Sequence, residues 1–297
     1  MADADPATLD LLAKCTFPPP GTTVTCAVSG GADSMALMVL AVASGCQVTA
    51  MHVDHRLRPG SAAEAATVAA AAERFGAAFH AETIDVPAGP NLEARARDAR
   101  YAVLPADVMT GHTADDQAET VLINLMRGAS NSGLSAMRPS TRRPILALRR
   151  AATVRFCEVL GIATVDDPSN RDPAFLRNRV RHELLPAMNE LAGRDLVPVL
   201  VRQADLMRDD GDLLDELAAT IDPTDAKGLT AAPLPLARRA VRRWLTTQHP
   251  PDAATVERVL RVAGGQASGC DLGGGRRVER SKQRLRLLGE PTAAPSR

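Results

Sequence analysis

The sequence predicts an α/β protein in which a parallel, doubly wound sheet is followed by a smaller, mainly helical C-terminal domain with a short basic hairpin. Two observations predict this fold. Strand-like and helix-like runs alternate through the first half of the chain, which is typical of a parallel sheet covered by right-handed crossovers. After about residue 190 the alternation stops and amphipathic helical patterns follow. We expect domains at 1–190 and 191–297, with the boundary near 186–196.

The first domain contains four strand-like and four helix-like runs. The strands are rich in β-branched or other apolar residues, and the helices are apolar throughout or amphipathic. The expected strands are 22–29, 47–55, 78–86 and 106–112, and the expected helices are 33–44, 61–76, 91–104 and 114–128. In the second domain we expect helices at 196–221, 234–248 and 252–264, and a hairpin within 270–289.

Composition excludes several classes of protein. The chain is 45% hydrophobic and 24% charged with a net charge of zero, so any attraction to nucleic acid must come from a local basic patch. Five scattered cysteines without a CxxC pair predict neither a disulfide framework nor a zinc knuckle. The acidic start MADADP is unlike a signal peptide, and the longest uncharged run is interrupted by glycine and glutamine. We expect a cytoplasmic protein with no membrane partner.

The segment SGGADS (29–34) joins the first strand to an apolar helix. Glycines at such a turn let the main chain approach an anion, and the helix start points N–H groups at it. The simpler alternative is a turn that needs glycine for close packing. Asp33 is unusual beside an anion unless Mg²⁺ lies between its carboxylate and the phosphates.

Two further strand ends carry polar clusters. HVDH (52–55) offers nitrogen and carboxylate ligands for a metal, although polar residues that simply face a cleft are the plainer interpretation. In GHTADDQAET (111–120), Asp116 and Glu119 share a helix face beside His112. They could hold Mg²⁺ or a substrate ammonium group, or could merely compensate the helix dipole. Because these motifs all follow strands, we expect them to converge.

Three segments are rich in arginine, and two of them, the helix after DDPSN (166–170) and the tail 270–289, are candidates for phosphate contacts. NLEARARDARY (91–101) places Arg97 and Arg100 on one face, and the helix after DDPSN (166–170) does the same for Arg177 and Arg181. The tail 270–289 has six basic and two acidic residues, a net charge of +4. In each case a solvated charged surface is the alternative.

The motif SGGADS resembles the PP-loop of the adenine-nucleotide α-hydrolase-like ATP pyrophosphatases. Over about residues 24–186 the chain resembles one of its families, the bacterial tRNA(Ile)-lysidine synthetases, because the motifs occur in the family's order. They are HVDH, E-x-x-A-R-x-x-R-Y, GHTADDQAET, Arg127–Gly128, GLSAM, RPIL and D-P-S-N-x-D-x-x-F-x-R-N-x-x-R. The last motif distinguishes the family from other PP-loop enzymes.

The resemblance implies an ATP- and Mg²⁺-dependent ligase that adenylylates C2 of the wobble cytidine in tRNA(Ile) with a CAU anticodon. Free L-lysine then displaces AMP through its ε-amine; a homodimer is left open. The implied catalytic residues are Asp33, Asp116, Arg97 and Glu119, with Asp33 facing the metal and Asp116 and Glu119 holding the lysine. The implied ATP-binding residues are Ser29, Gly30, Gly31, Ala32, Asp33, Ser34, His52 and His112. Candidate tRNA contacts are Arg177, Asn178, Arg181, Arg276, Arg277 and Arg280.

Two alternatives remain at the level of the sequence. A PP-loop tRNA thiolase needs a reactive or cluster-binding cysteine, and the first half of the chain has no paired cysteines. The second alternative is a non-catalytic nucleotide- or RNA-binding protein with the same fold. The presence of Asp33, Asp116 and Glu119 argues against it.

Overall fold

A computed structural model describes residues 6–54, 61–85, 89, 92–247 and 250–289 of the 297-residue chain. Chain contacts divide it into two compact units, Met1–Asp205 and Leu206–Arg297. The division falls within the helix α10, Val197–Ala219. The domain limits 1–190 and 191–297 stay a prediction.

The first unit is built on a three-stranded parallel sheet in the order β1-β2-β3. Its strands are β1 Thr23–Ala27, β2 Gln47–Asp54 and β3 Ala78–Thr83. The connection between each pair contains a helix, as parallel pairing requires. The predicted α/β class is confirmed.

The four helices predicted at 33–44, 61–76, 91–104 and 114–128 are confirmed as α2–α5, whereas α1, α6, α7 and α9 were not predicted. α2 packs on β1 and β2 and against α7, while α3 packs on β2 and β3. The helices are α1 Pro6–Leu12, α2 Ala32–Ala43, α3 Ser61–Phe75, α4 Leu92–Val103, α5 Ala114–Met126, α6 Asn131–Leu134, α7 Arg150–Val159, α8 Leu176–Arg179 and α9 Leu185–Ala192. A 3₁₀ turn, Pro168–Arg171, precedes α8, and a π-helical segment, Val180–Leu184, joins α8 to α9.

The helix α2 is the centre of this unit's core. Residues 34–41 are all buried, as expected of a helix that is apolar on every side. Its large side chains Met35, Leu37, Met38 and Leu40 are fully buried. Because the helix is packed on all sides, its first turn is held firmly at the carboxyl end of β1.

The strand expected at 106–112 is wrong. The structure has only one bridge there, between Cys26 of β1 and Met109. The next residue leaves the sheet because the Thr110 N–H donates to the carbonyl of Arg142 at 2.9 Å. The loop that follows nevertheless begins at the carboxyl end of β1, where the prediction placed it.

The second unit combines helices with a small antiparallel sheet in the order β4-β5-β6. Its apolar core brings together Leu229, Val241, Val259, Val278 and Leu285. The elements are α11 Ala226–Ala231, α12 Leu234–Leu245, α13 Ala253–Ala263, β4 Gly269–Gly273, β5 Arg276–Ser281 and β6 Arg284–Leu288.

The expected hairpin is therefore part of a three-stranded meander. β5 and β6 are joined by a two-residue turn in which Lys282 and Gln283 both have positive φ, 47° and 63°. The additional strand, β4, begins and ends with glycine. Glycine is rare in strands, so this run did not look like a strand in the sequence. Within the described part of the chain, no helix is long and apolar enough to span a membrane.

Candidate active site

The segment 29–34 forms a loop that exposes backbone donors. Gly30 has φ +89°, and a Cβ there would lie 2.8 Å from Cγ2 of Val165, so only glycine fits. Gly31 caps α2. In the described residues no protein acceptor bonds the N–H groups of Gly30, Gly31, Ala32 or Asp33. These donors at the start of α2 form a cradle for an anion.

Hydrogen bonds within the loop hold this shape. The Ser34 hydroxyl donates to the Gly31 carbonyl at 2.8 Å and accepts from the Ser29 N–H at 3.1 Å. The two serine Oγ atoms are 3.3 Å apart. Ser34 thus stabilises the turn, while its predicted contact with ATP stays a prediction.

A second loop, which leads into α5, packs directly on the first. A Cβ at Gly111 would lie 2.9 Å from the backbone carbonyl of Asp33, so the close approach requires glycine. Two residues on, Thr113 begins α5 with a capping box in which its N–H and hydroxyl donate to Oδ2 of Asp116 at 2.8 and 2.9 Å. The predicted convergence of SGGADS with GHTADD is confirmed.

One arginine, Arg150 in the first turn of α7, joins three carboxylates of the helices that these loops lead into, α2 and α5. Its Nε donates to Asp33 at 3.1 Å, one Nη to Asp116 at 2.8 Å and the other to Glu119 at 3.0 Å. The Thr153 hydroxyl also donates to Asp33. Glu119 is 0% exposed and Asp116 is 7% exposed, so these are largely buried ion pairs.

Arg177 and Arg181 close the same cluster from α8 and the π segment. Arg177 Nε donates to Glu119 at 2.8 Å, and Arg181 Nε donates to it at 2.7 Å. Both also lie within 3.4 Å of Oδ1 of Asp116. Three guanidinium groups thus balance three carboxylates, and the predicted tRNA contacts of Arg177 and Arg181 stay a prediction.

The pKa values reflect this pairing. Burial alone would raise the pKa of the Asp116 carboxyl, but Arg150 and Arg177 hold that pKa below its usual range. The pKa of Asp33 is raised, because burial outweighs its contacts with Thr153 and Arg150. The pKa of Arg150 is raised above its usual value, since three nearby carboxylates outweigh its own desolvation.

Arg150 and Thr153 are the residues of this site that the sequence analysis did not single out. Arg150 stands four residues after the RPIL motif (143–146), and no periodicity links it to the acids that it contacts. A cation in the first turn of a helix opposes the helix dipole, so it needs nearby carboxylates. An arginine at the start of a helix was therefore the feature of the sequence that could have indicated nearby carboxylates.

The two predicted histidines are engaged with the backbone and side chains near the loops. His52 is buried and its Nδ1 donates to the Val28 carbonyl at 2.8 Å. His112 Nδ1 lies 2.7 Å from the Thr110 hydroxyl. Burial lowers the pKa of His112 to about 4, so it is neutral at pH 7. His55, the last residue of HVDH, lies outside the described residues.

The remaining predicted site residues of the first unit have other surroundings. Arg97 is exposed, and its guanidinium lies 4.8 Å from the ring centroid of Tyr101. Asn178 is buried and donates to the carbonyls of Ser169 and Asp172 at 2.7 and 3.0 Å. Asn178 therefore fixes the loop that precedes α8, and its role toward tRNA stays a prediction.

The basic residues of the small sheet are partly engaged within the second unit. Arg276 donates to the Leu245 carbonyl at 3.3 Å, and Arg277 pairs with Glu279 at 3.0 Å and with Asp271 at 3.2 Å. Arg277 thus uses both acids of this segment. That Arg276, Arg277 and Arg280 contact tRNA stays a prediction.

The cysteines argue against sulfur chemistry. Burial raises the pKa of Cys15 and Cys26 to about 12 and that of Cys157 to about 11, so these thiols are protonated at pH 7. Among the described residues, no group of three or more His, Cys, Asp or Glu side chains is arranged to hold a metal ion. The thiolase alternative is not favoured.

Comparison with known proteins agrees with this geometry. Residues 8–188 match the family described as the PP-loop domain, and residues 225–286 match the TilS substrate binding domain. The solved U34-tRNA thiolase NcsA of Methanococcus maripaludis, which carries a 4Fe-4S cluster, has a TM-score of 0.55 and 14% identity. The match covers 68% of this chain and 78% of that one, and at this identity it shows a similar fold only.

Closer relatives have one name, tRNA(Ile)-lysidine synthase. The protein of Rhodococcus erythropolis is 43% identical over 242 residues, 76% of this chain and 74% of the relative. That of Nocardia farcinica is 43% identical over 246 residues, 77% of each chain. That of Mycobacterium leprae is 38% identical over 279 residues, 85% of this chain and 86% of the relative. This chain belongs to the tRNA(Ile)-lysidine synthase family of PP-loop proteins.

Proposed function

We propose that the protein ligates lysine to C2 of the wobble cytidine of a tRNA(Ile) with a CAU anticodon, at the expense of ATP. One observation carries the proposal: the N–H cradle of residues 30–33 lies beside the paired carboxylates Asp116 and Glu119. The cradle suits phosphates, and the carboxylates suit the ammonium group of lysine. Family membership supplies the reaction that unites the two.

The first half-reaction activates a poor electrophile. The O2 atom of the cytidine attacks the α-phosphorus of ATP, the new O–P bond forms, and the bond to the β-phosphate breaks with release of pyrophosphate. The N–H groups at the start of α2 stabilise negative charge on the departing phosphates because they are already oriented toward them. His112 is neutral at pH 7 and serves as a hydrogen-bonding group there rather than as a cation.

Asp33 is the residue that would hold Mg²⁺ in this site. One carboxylate together with phosphate oxygens is a donor set that Mg²⁺ accepts. The two Asp33 oxygens accept from Arg150 and Thr153 in this structure, and each retains a lone pair. Asp33 therefore fits Mg²⁺ when phosphate oxygens complete the coordination of the ion. The ion would neutralise part of the phosphate charge.

The second half-reaction needs a place for lysine, and the carboxylates have no spare capacity for it. Glu119 accepts four hydrogen bonds, from Arg150, Arg177 and Arg181. An ammonium group can approach only if one guanidinium leaves, and Arg177 and Arg181 are the two that were predicted to contact tRNA phosphates. Lysine binding and tRNA binding are then coupled, since a guanidinium that turns to a phosphate frees a carboxylate. The lysine amine, once deprotonated, attacks C2 and expels AMP.

The second domain, 191–297, is proposed to bind the tRNA. Its match to a substrate binding domain supports this assignment. The exposed basic residues of its small sheet supply a local positive surface in a chain whose net charge is zero.

A lysine-transfer assay tests the proposal. The protein is incubated with ATP, labelled lysine and a tRNA(Ile) transcript, and a transcript whose anticodon carries U at the wobble position is the control. We expect label only in the first transcript, together with release of AMP. Binding of ATP and tRNA without any label or AMP would instead support a non-catalytic binding protein, and sulfur transfer would support a thiolase.

A further inference from the structure

Three arginines, Arg97, Arg100 and Arg143, lie near the chain's single tyrosine, Tyr101, and a fourth, Arg142, lies beside Arg143. Arg97 and Arg100 lie on the same face of α4, three residues apart; Arg97 precedes Tyr101 by four residues, and Arg100 directly precedes it. Their guanidinium carbons lie 4.8 and 5.6 Å from the centre of the tyrosine ring, which is a cation–π distance. We call this group the arginine cluster: Arg97, Arg100 and Arg143 near Tyr101, with Arg142 beside Arg143.

Arg142 and Arg143 join the group from the turn before α7. The Arg142 carbonyl accepts from the N–H and the hydroxyl of Thr110 at 2.9 and 3.2 Å, which places this turn beside His112. Burial, the charge of Arg142 and the charge of Arg97 lower the pKa of Arg143. Four positive charges therefore meet at the edge of the carboxylate site.

Among the side chains that the structure describes, the cluster has no acidic partner. In the described part of the chain, none of the four arginines makes an ion pair with Asp or Glu, whereas Arg150, Arg177 and Arg181 each make two or more. The Nε of Arg143 is buried and has no hydrogen-bond partner there. Guanidinium groups without acidic partners repel one another, and a bound anion would relieve that repulsion. The same anion could accept a hydrogen bond from the unpaired Nε–H group of Arg143.

We propose that the arginine cluster binds phosphates of the single-stranded loop that flanks the base to be modified. Arginines beside a half-buried tyrosine suit single-stranded RNA, because guanidinium planes pair with phosphates and stack on bases. The phosphates of ATP already have the N–H cradle of residues 30–33. The assignment rests on the proposed function for the identity of the RNA, and it adds a second RNA contact of the first domain to that proposed for Arg177 and Arg181.

The test removes two charges without touching the residues assigned to catalysis. The variant Arg142→Ala, Arg143→Ala keeps the backbone carbonyl that holds Thr110. The matched control Arg155→Ala, Arg194→Ala removes two exposed arginines from the same unit. Binding of a labelled tRNA(Ile) transcript is measured between 50 and 200 mM salt, with circular dichroism as the check on folding, and the KM values for tRNA and ATP are measured separately.

We expect the cluster variant to bind the transcript about tenfold or more weakly. The slope of the logarithm of the binding constant against the logarithm of the salt concentration should become about 1.4 less steep, since each single-strand phosphate contact contributes about 0.7. The KM for tRNA should rise and that for ATP should not, and excess pyrophosphate should not compete with the transcript. An unchanged slope, an equal loss in the control, or a raised KM for ATP alone would overturn the assignment. If the wild type transfers no lysine but its RNA binding behaves as described, the proposed function fails and the RNA site stands.

Discussion

Replacing Arg150 with methionine tests whether one arginine holds the carboxylate cluster together. The substitution keeps the length of the side chain and removes three charge-assisted hydrogen bonds, to Asp33, Asp116 and Glu119. Breaking a buried ion pair from one side costs about 3–5 kcal/mol, because the remaining charge is left buried. The Arg150 side chain is 24% exposed and two other arginines remain, so we expect the lower end, about 3 kcal/mol at pH 7.

The dependence on pH has a definite sign. In the wild type, the lowered pKa of Asp116 contributes stability that is present above its unfolded pKa and is lost as the pH falls through its folded pKa. Without Arg150, the pKa values of Asp33 and Asp116 rise, and protonation relieves the uncompensated charge. The difference in unfolding free energy between variant and wild type should therefore shrink as the pH falls through the raised pKa values of the variant's carboxyls.

Urea unfolding followed by circular dichroism measures this difference, together with hydrogen exchange of peptides from α5. Fluorescence is unsuitable, because the single tryptophan, Trp244, lies in the second unit. The control is Arg155→Met, an exposed residue of the same helix, which should change stability by less than about 0.5 kcal/mol. A loss below about 1 kcal/mol at pH 7 for the Arg150 variant, or one that does not vary with pH, would refute the reasoning.

Three other changes separate the parts of the site. Asp33→Asn should abolish lysine transfer and leave tRNA affinity unchanged, because it removes the carboxylate proposed to hold Mg²⁺, while Arg177 and Arg181 bond to other acids; filter binding checks the second part, and an equal loss of affinity would contradict it. Asp116→Asn should raise the apparent KM for lysine far more than that for ATP, since an amide holds an ammonium less well than a carboxylate; the reverse pattern in steady-state kinetics would make Asp116 a nucleotide ligand. Replacing Arg276, Arg277 and Arg280 with alanine should make the dependence of log K for tRNA binding on log salt less steep by up to about 2. An unchanged dependence would mean that these arginines of β5 face solvent and do not contact tRNA.

The fold could be predicted where local pattern and tertiary setting agree. α2 was evident because an uninterrupted apolar run has to be buried, and β1–β3 were evident because β-branched runs alternate with helices. The segment 106–112 has strand composition but makes a single bridge, since Thr110 bonds to Arg142 in another part of the chain. Such long-range bonds leave no trace in local propensity.

The site could be predicted as a meeting of loops but not as a set of ion pairs. Asp33 follows β1, and Asp116 and Glu119 follow the segment 106–112, which meets β1 through the bridge between Cys26 and Met109, so the three acids come together at the carboxyl end of β1. Their partners come from α7 and α8, and the bond between Arg181 and Glu119 joins residues 62 apart in the sequence. A basic helix looks the same whether its arginines face solvent, RNA or buried acids, so Arg177 and Arg181 could not be assigned from spacing.

The most direct test of the proposed activity is mass spectrometry of the anticodon-loop fragment after reaction with ATP and lysine. We predict that the wobble cytidine of tRNA(Ile) gains one lysine and loses one water, with one AMP and one pyrophosphate released for each modified tRNA. The product should be absent without ATP and with the Asp33→Asn variant. An unmodified fragment from a preparation that binds both ATP and the transcript would contradict the account.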